Sequence, residues 1–163
     1  MPIILSARAH YINGVGYYEN DSAVEACKEY LKALEIMDER FEEKELVGKR
    51  AHFMALTYTR LTGLFSDQYL HEQAVCFGKC AMGYYNRYDA TIGHLVWMFD
   101  EIGSNYDVMG NLDSAIVYYN KGIEMLTDTN NLAYRDLSVH IAFLTYQLTK
   151  EPSIVVKGIS KNT

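Results

Sequence analysis

Between Pro2 and Pro152 the chain contains no proline. Proline lacks a backbone donor and breaks helix interiors, so this stretch is free to form long uninterrupted helices. The apolar pattern uses that freedom. Val47, Ala51, Met54, Tyr58 and Leu61 recur at intervals of three and four, and Leu31, Leu34 and Met37 do the same. That is the spacing of one helix face. Strand-like alternation competes only over Ile154, Val155 and Val156. Turn signals divide the pattern at Asn20-Asp21-Ser22, Ser66-Asp67, Met109-Gly110-Asn111 and Asp128-Thr129-Asn130-Asn131. Ser22 and Glu25 have the spacing of a capping box, and Gly110-Asn111 reads as a helix stop followed by an N-cap. The expectation is seven helices, at about 6–19, 22–45, 47–64, 67–87, 90–109, 112–127 and 131–149, and a tail over 150–163.

Charge and cysteine usage narrow the function classes. Fifteen basic residues against twenty-one acidic ones leave a net charge of −6, the wrong sign for a nucleic-acid binder. No apolar run is long enough to span a bilayer, and the Met1–Arg8 segment lacks the cationic and apolar regions of a secretory signal. Cys27, Cys76 and Cys80 are too few and odd in number for a disulfide scaffold, which points to a reducing, cytoplasmic setting. Cys76 and Cys80 lie one turn apart, but two thiolates alone do not make a zinc site. All three read as buried small hydrophobes.

The motifs of chemistry are each incomplete. Gly14-Val15-Gly16 begins like a dinucleotide fingerprint, but Glu19 replaces the third glycine and no strand precedes it. Gly48-Lys49-Arg50 lacks the rest of a phosphate loop, and His71-Glu72 lacks a second histidine. The carboxylates of residues 35–45 form a solvated face. Neither an enzyme nor a cofactor or metal is expected.

Internal repetition is the positive signal. Asn13-Gly14-x-x-Tyr17 matches Ile102-Gly103-x-x-Tyr106, and identical intervals lead on to Ala26, Tyr30 and Ala33 in one copy and to Ala115, Tyr119 and Gly122 in the other. A weaker copy between them pairs Ala55 and Tyr58 with Phe77 and Cys80, with about six extra residues around Phe65 to Tyr69. A last first-helix carries Ala142, Phe143 and Tyr146. Small residues at Gly14, Ala55 and Gly103 are notches into which a companion helix packs the rings of Tyr30, Phe77 and Tyr119. On this reading Tyr17, Tyr30, Tyr58, Tyr106, Tyr119 and Tyr146 are packing residues.

The pattern resembles the tetratricopeptide repeat (TPR) family. The resemblance implies an all-α fold, a right-handed α-solenoid of stacked antiparallel helix hairpins. About three repeats (7–45, 47–88 and 90–129) would be followed by a final helix over 131–149, making one domain over 6–149. Repeat spacings of 41 and 48 residues between Tyr17, Tyr58 and Tyr106 exceed the family's usual length, so the second helices are expected to run one or two turns longer.

In the resembled family the first helices line a concave groove. By that resemblance the groove positions are Arg8, Tyr11, Ile12, Val15 and Tyr18, then Lys49, His52, Phe53, Leu56 and Thr59, then Trp97, Asp100, Glu101, Ser104 and Asp107, then Leu137, His140, Ile141, Leu144 and Gln147. One end is aromatic and basic, the other acidic beside the single tryptophan. The expected peptide-contacting residues are Arg8, Tyr11, Tyr18, Lys49, His52, Phe53, Trp97, Asp100, Glu101 and Asp107. Tyr11, Val15, Asp100 and Glu101 stand where the family's carboxylate clamp would be, so such a clamp is rejected.

The expected function is a non-catalytic scaffold that binds a protein or peptide segment, with the acidic positions preferring a basic stretch. The alternative is a sensory or dimerisation segment of a larger signalling or transcription-regulatory protein. The last helix carries apolar Val139, Ala142, Phe143, Tyr146 and Leu148 to cover the third repeat. Exposed Phe143 and Leu144 at its end call for a covering tail, a homodimer or a longer natural chain.

Overall fold

A computed structural model of the chain describes residues 3–39, 47–88 and 90–149. Over these residues the fold is all-α. The helices are α1 (Ile3–Glu19), α2 (Ala23–Glu39), α3 (Val47–Asp67), α4 (His71–Tyr85), α5 (Ile92–Val108), α6 (Leu112–Glu124) and α7 (Leu132–Thr149). They form two compact units, Met1–Ala90 and Thr91–Thr163. In the first, the α1–α2 and α3–α4 hairpins pack through α2 and α3; in the second, α7 packs on α6 of the α5–α6 hairpin.

The notches work as the sequence implies. A Cβ on Gly14 would lie 2.7 Å from two carbons of the Tyr30 ring, and one on Gly103 would lie 2.6 Å from Tyr119 Cε1. Tyr30 and Tyr119 are 0% and 1% exposed. Glycine therefore permits a close approach that any other residue would block. Gly122 does the same for α7, where an added Cβ would come within 2.9 Å of Leu137 Cδ1. Around these contacts Tyr30, Leu34, Met37, Met54, Leu61 and Leu64 form the core of the first unit. Val96, Ala115, Tyr119, Leu137 and Leu144 form that of the second.

The first helix of every hairpin ends in the same paired closure. After α5, the Asn111 N–H donates to the Tyr106 carbonyl (2.9 Å) and the Gly110 N–H to the Asp107 carbonyl (2.8 Å), with Gly110 at φ +76°. After α1, Ser22 N–H reaches Tyr17 and Asp21 N–H reaches Tyr18; after α3, Leu70 N–H reaches Phe65 and Tyr69 N–H reaches Ser66. These are Schellman closures, which need a left-handed residue just past the helix end. Glycine supplies it freely, whereas Asp21 and Tyr69, at φ 57° and 60°, adopt it at a cost of about 1–2 kcal/mol.

These closures make Tyr17, Phe65 and Tyr106 equivalent, which corrects the second copy. Its register is Thr62, Phe65, Ala74, Gly78 and Ala81, not Ala55, Tyr58, Phe77 and Cys80. Thr62, Ala74 and Ala81 are fully buried, Gly78 is buried, and Cys80 is only half-buried. The bulk has changed sides: Thr62 stands where Gly14 and Gly103 do, and Gly78 where Tyr30 and Tyr119 do. Tyr58 and Phe65 are seven residues apart, two helical turns on one face, so spacing alone does not separate the two registers.

Other expectations change as well. The extra residues lengthen α3, which has 21 residues, and the turn falls at Gln68–Leu70 rather than at Ser66-Asp67. The second helices α4 and α6 are not extended, at 15 and 13 residues; the proposed extension of α2 to Glu45 lies outside the described residues. The Ser22 hydroxyl donates to the Asn20 carbonyl (3.4 Å) instead of capping α2, whereas Asn111 caps α6 by accepting from Ser114 N–H (3.2 Å). Cys76 is exposed. Tyr17 and Tyr146 are 43% and 41% exposed, so they are not core packing.

On α7 the covering residues are Leu137 and Leu144, with Ile141 packed beside them. These three are therefore not groove residues, while Val139, Phe143 and Leu148 face outward. Ile154–Val156 and the rest of the tail lie outside the described residues.

Candidate functional site

A cleft of about 690 Å³ lies between α1 and α3 in the first unit, lined by Ile4, Arg8, Tyr11, Ile12, Met37, Lys49, Arg50, His52, Phe53 and Leu56. It gathers Arg8, Tyr11, Lys49, His52 and Phe53 from the expected site. The slip of the second copy does not spoil this grouping, because a shift of two turns leaves the same face of α3 toward α1. Tyr11 is the floor, with its ring centroid 5.8 Å from those of both Tyr30 and Phe53. Arg50 is committed elsewhere: its Nη2 donates to Asp38 (2.5 Å) and its Nε to the Met37 carbonyl (3.3 Å). Arg8 and Lys49 are exposed and have no hydrogen bond or ion pair among the described residues. The His52 ring rests 4.9 Å from that of Tyr88.

Tyr18 lies apart from this cleft. Its hydroxyl donates to Asp67, joining the end of α1 to the end of α3. That bond, followed by burial, pushes the phenol up to about 12. Between these points Arg60 Nε donates to the Tyr11 hydroxyl (3.3 Å). Arg60 and Asp67 were absent from the sequence expectation. Placing Phe65 opposite Tyr17 puts Arg60 at the position of Ile12 on the groove face, whereas Asp67 stands opposite Glu19, off that face.

The second unit has a smaller cleft of about 250 Å³, lined by Gly93, Val96, Trp97, Asp100, Leu126, Asn131, Ala133, Asp136 and Leu137. Trp97 is 45% exposed there. Burial, with the Asp136 charge adding to it, holds the Asp100 carboxyl above the ordinary carboxylate range, and His140 opposes the shift from 3.9 Å. The structure thus joins Trp97 and Asp100, adds Asp136 from α7, and leaves Glu101 and Asp107 outside this lining. Asn105 Nδ2 donates to the Glu101 carbonyl (2.8 Å). Among the described residues no three His, Cys, Asp or Glu side chains are grouped to hold a metal.

Both clefts thus have apolar walls and charged rims, features suited to holding side chains. Compared with known proteins by sequence, the chain matches no family model and no curated protein. In structure it is similar to the N-terminal domain of stress-induced protein-1 (STI-1) from C. elegans. The TM-score is 0.70 at 14% sequence identity, covering 89% of this chain and 98% of that one. At that identity the likeness speaks for the fold, and it supports a TPR-like array of helix hairpins.

Proposed function

We propose that the chain is a non-catalytic scaffold that binds protein or peptide segments, each unit through its own cleft. The observation that carries this reading is the α1/α3 cleft of about 690 Å³, whose aromatic floor and cationic rim are the parts of a side-chain receptor. In the second unit Trp97 and Asp100, with Glu101 and Asp107 nearby on α5, favour a basic stretch. Three free cysteines favour a cytoplasmic setting. No helix among the described residues is long and apolar enough to cross a membrane.

A displayed library of short random peptides tests this. Binders are expected, and those carrying Lys or Arg are expected to weaken roughly tenfold when Asp100→Lys and Asp107→Lys are combined, with helical circular dichroism unchanged. A failure to select any peptide would remove the scaffold reading. A second reading, self-association through α7, is favoured by outward-facing Leu132, Val139 and Phe143. It expects a dimer by light scattering that Phe143→Glu dissociates; a monomer at all concentrations ends it.

A further inference from the structure

We propose that the α1/α3 cleft takes an acidic segment of a partner protein, with a large apolar side chain seated on Tyr11, Phe53 and Leu56 and flanking carboxylates held by Arg8 and Lys49. This rests on the peptide-binding reading and names the chemistry of one occupant. The argument is one of charge. The chain carries a net charge of −6, so acids are abundant, and two cations of the first unit have found them. Arg50 pairs with Asp38 and Lys32 with Glu35. Arg8 and Lys49 have no such partner among the described residues, although they rim an apolar cavity. The described lining of that cavity contains no carboxylate. Arg60, held on the Tyr11 hydroxyl, carries the same sign past the cleft.

A cation beside a desolvated apolar floor gains more from an incoming carboxylate than one in open water, and complementary charge selects the partner as well as speeding encounter. Concavity decides against a polyanionic surface. A cavity of about 690 Å³ admits side chains, whereas a phosphate backbone or a bilayer needs a broad basic face, which an acidic protein is poorly placed to offer.

The test uses the full chain. Peptides selected from a random displayed library are synthesised with a fluorescent label and titrated by anisotropy. The expected binders combine Asp or Glu with Leu, Phe or Trp. Arg8→Gln with Lys49→Gln is expected to weaken them about tenfold or more, and Lys28→Gln with Lys121→Gln, exposed lysines outside both cleft linings, to leave them unchanged. Arg8 and Lys49 are exposed, so folding is expected to survive; a thermal melt checks this, and Arg8→Lys with Lys49→Arg restores binding.

Binders that are neutral or basic, or that ignore Arg8→Gln with Lys49→Gln, overturn this inference and leave the scaffold reading standing. No binder at all overturns both. Two results reassign the cleft and overturn the partner segment. One is acidic peptides that bind the cleft only once Glu42, Glu43 and Glu45 are changed to Gln and not in the natural chain, which makes this chain's own acidic stretch the occupant. The other is single-stranded DNA or phosphatidylserine vesicles binding in a manner that Arg8→Gln with Lys49→Gln abolishes.

Discussion

The α1–α2 and α5–α6 hairpins place a tyrosine ring on a glycine in the same way, Tyr30 on Gly14 and Tyr119 on Gly103. They differ one residue further along. The Ser104 hydroxyl favours the ionised Tyr119 phenol and so opposes the upward push of burial on it; Val15 occupies the corresponding position in the first hairpin, and the buried Tyr30 hydroxyl has no hydrogen-bond partner among the described residues. The difference extends along the exposed side of the same helices. Arg8, Tyr11, Ile12, Val15 and Tyr18 in α1 correspond to Trp97, Asp100, Glu101, Ser104 and Asp107 in α5. Every one of these five positions has changed, while the notch and the ring have not. In these two hairpins the packing device keeps both its parts because the fit is steric, whereas the neighbouring face is free to change its charge, and the first turns of that face (Arg8, Tyr11 and Ile12; Trp97 and Asp100) line the clefts.

The comparison can be broken most directly at the notches. Gly14→Ala and Gly103→Ala should each destabilise the protein by about 1–3 kcal/mol, although alanine favours a helix by about 1 kcal/mol. Urea unfolding measures this, and a neutral result in either would show that the ring has room to retreat. The hydroxyls give a smaller effect that differs in direction. Tyr119→Phe removes a hydroxyl that the Ser104 side chain supports and should cost about 1 kcal/mol, while Tyr30→Phe removes an unsatisfied one and should be neutral or stabilising. Equal losses in both would mean that Tyr30 has a partner after all.

The smallest expected effect is at Asp100, which stands where α1 has Tyr11. Its folded-state pKa is raised, chiefly by burial, so the ionised carboxylate opposes folding at neutral pH. Asp100→Asn should therefore raise the thermal midpoint slightly at neutral pH, with the gain fading as pH falls through the raised folded-state pKa and gone below the unfolded carboxyl's value of about 4. A gain that persisted in acid would trace the effect to packing rather than charge.

Much of this architecture is readable from residue order. Seven helices, the Gly14 and Gly103 notches and the Asn111 cap follow from spacing and residue type, and five expected contact residues meet in one cleft. The middle hairpin is the exception. Its closing turn uses Tyr69 in a left-handed conformation, which no glycine announces, so the Ser66-Asp67 turn signal ends α3 too early and puts Tyr58 in the place of Phe65. On α7 two apolar stripes compete, and Leu137 turns inward because Gly122 leaves a hollow for it. Arg60 falls outside the expected face for the same reason as Phe65, whereas Asp67 lies off that face in either register and only the contact with Tyr18 reveals it.

Sequence by itself determined the period of each helix and the small residues at which helices approach, because both are local properties of spacing and side-chain volume. Tertiary structure decided which turn of α3 faces α1 and which cations are left, among the described residues, without a carboxylate. A slide of two helical turns leaves the period unchanged, so only contact across helices selects the register. Likewise, whether a charge is paired depends on residues far away in the chain: Asp38 reaches Arg50, while Arg8 and Lys49 remain at the mouth of the cleft.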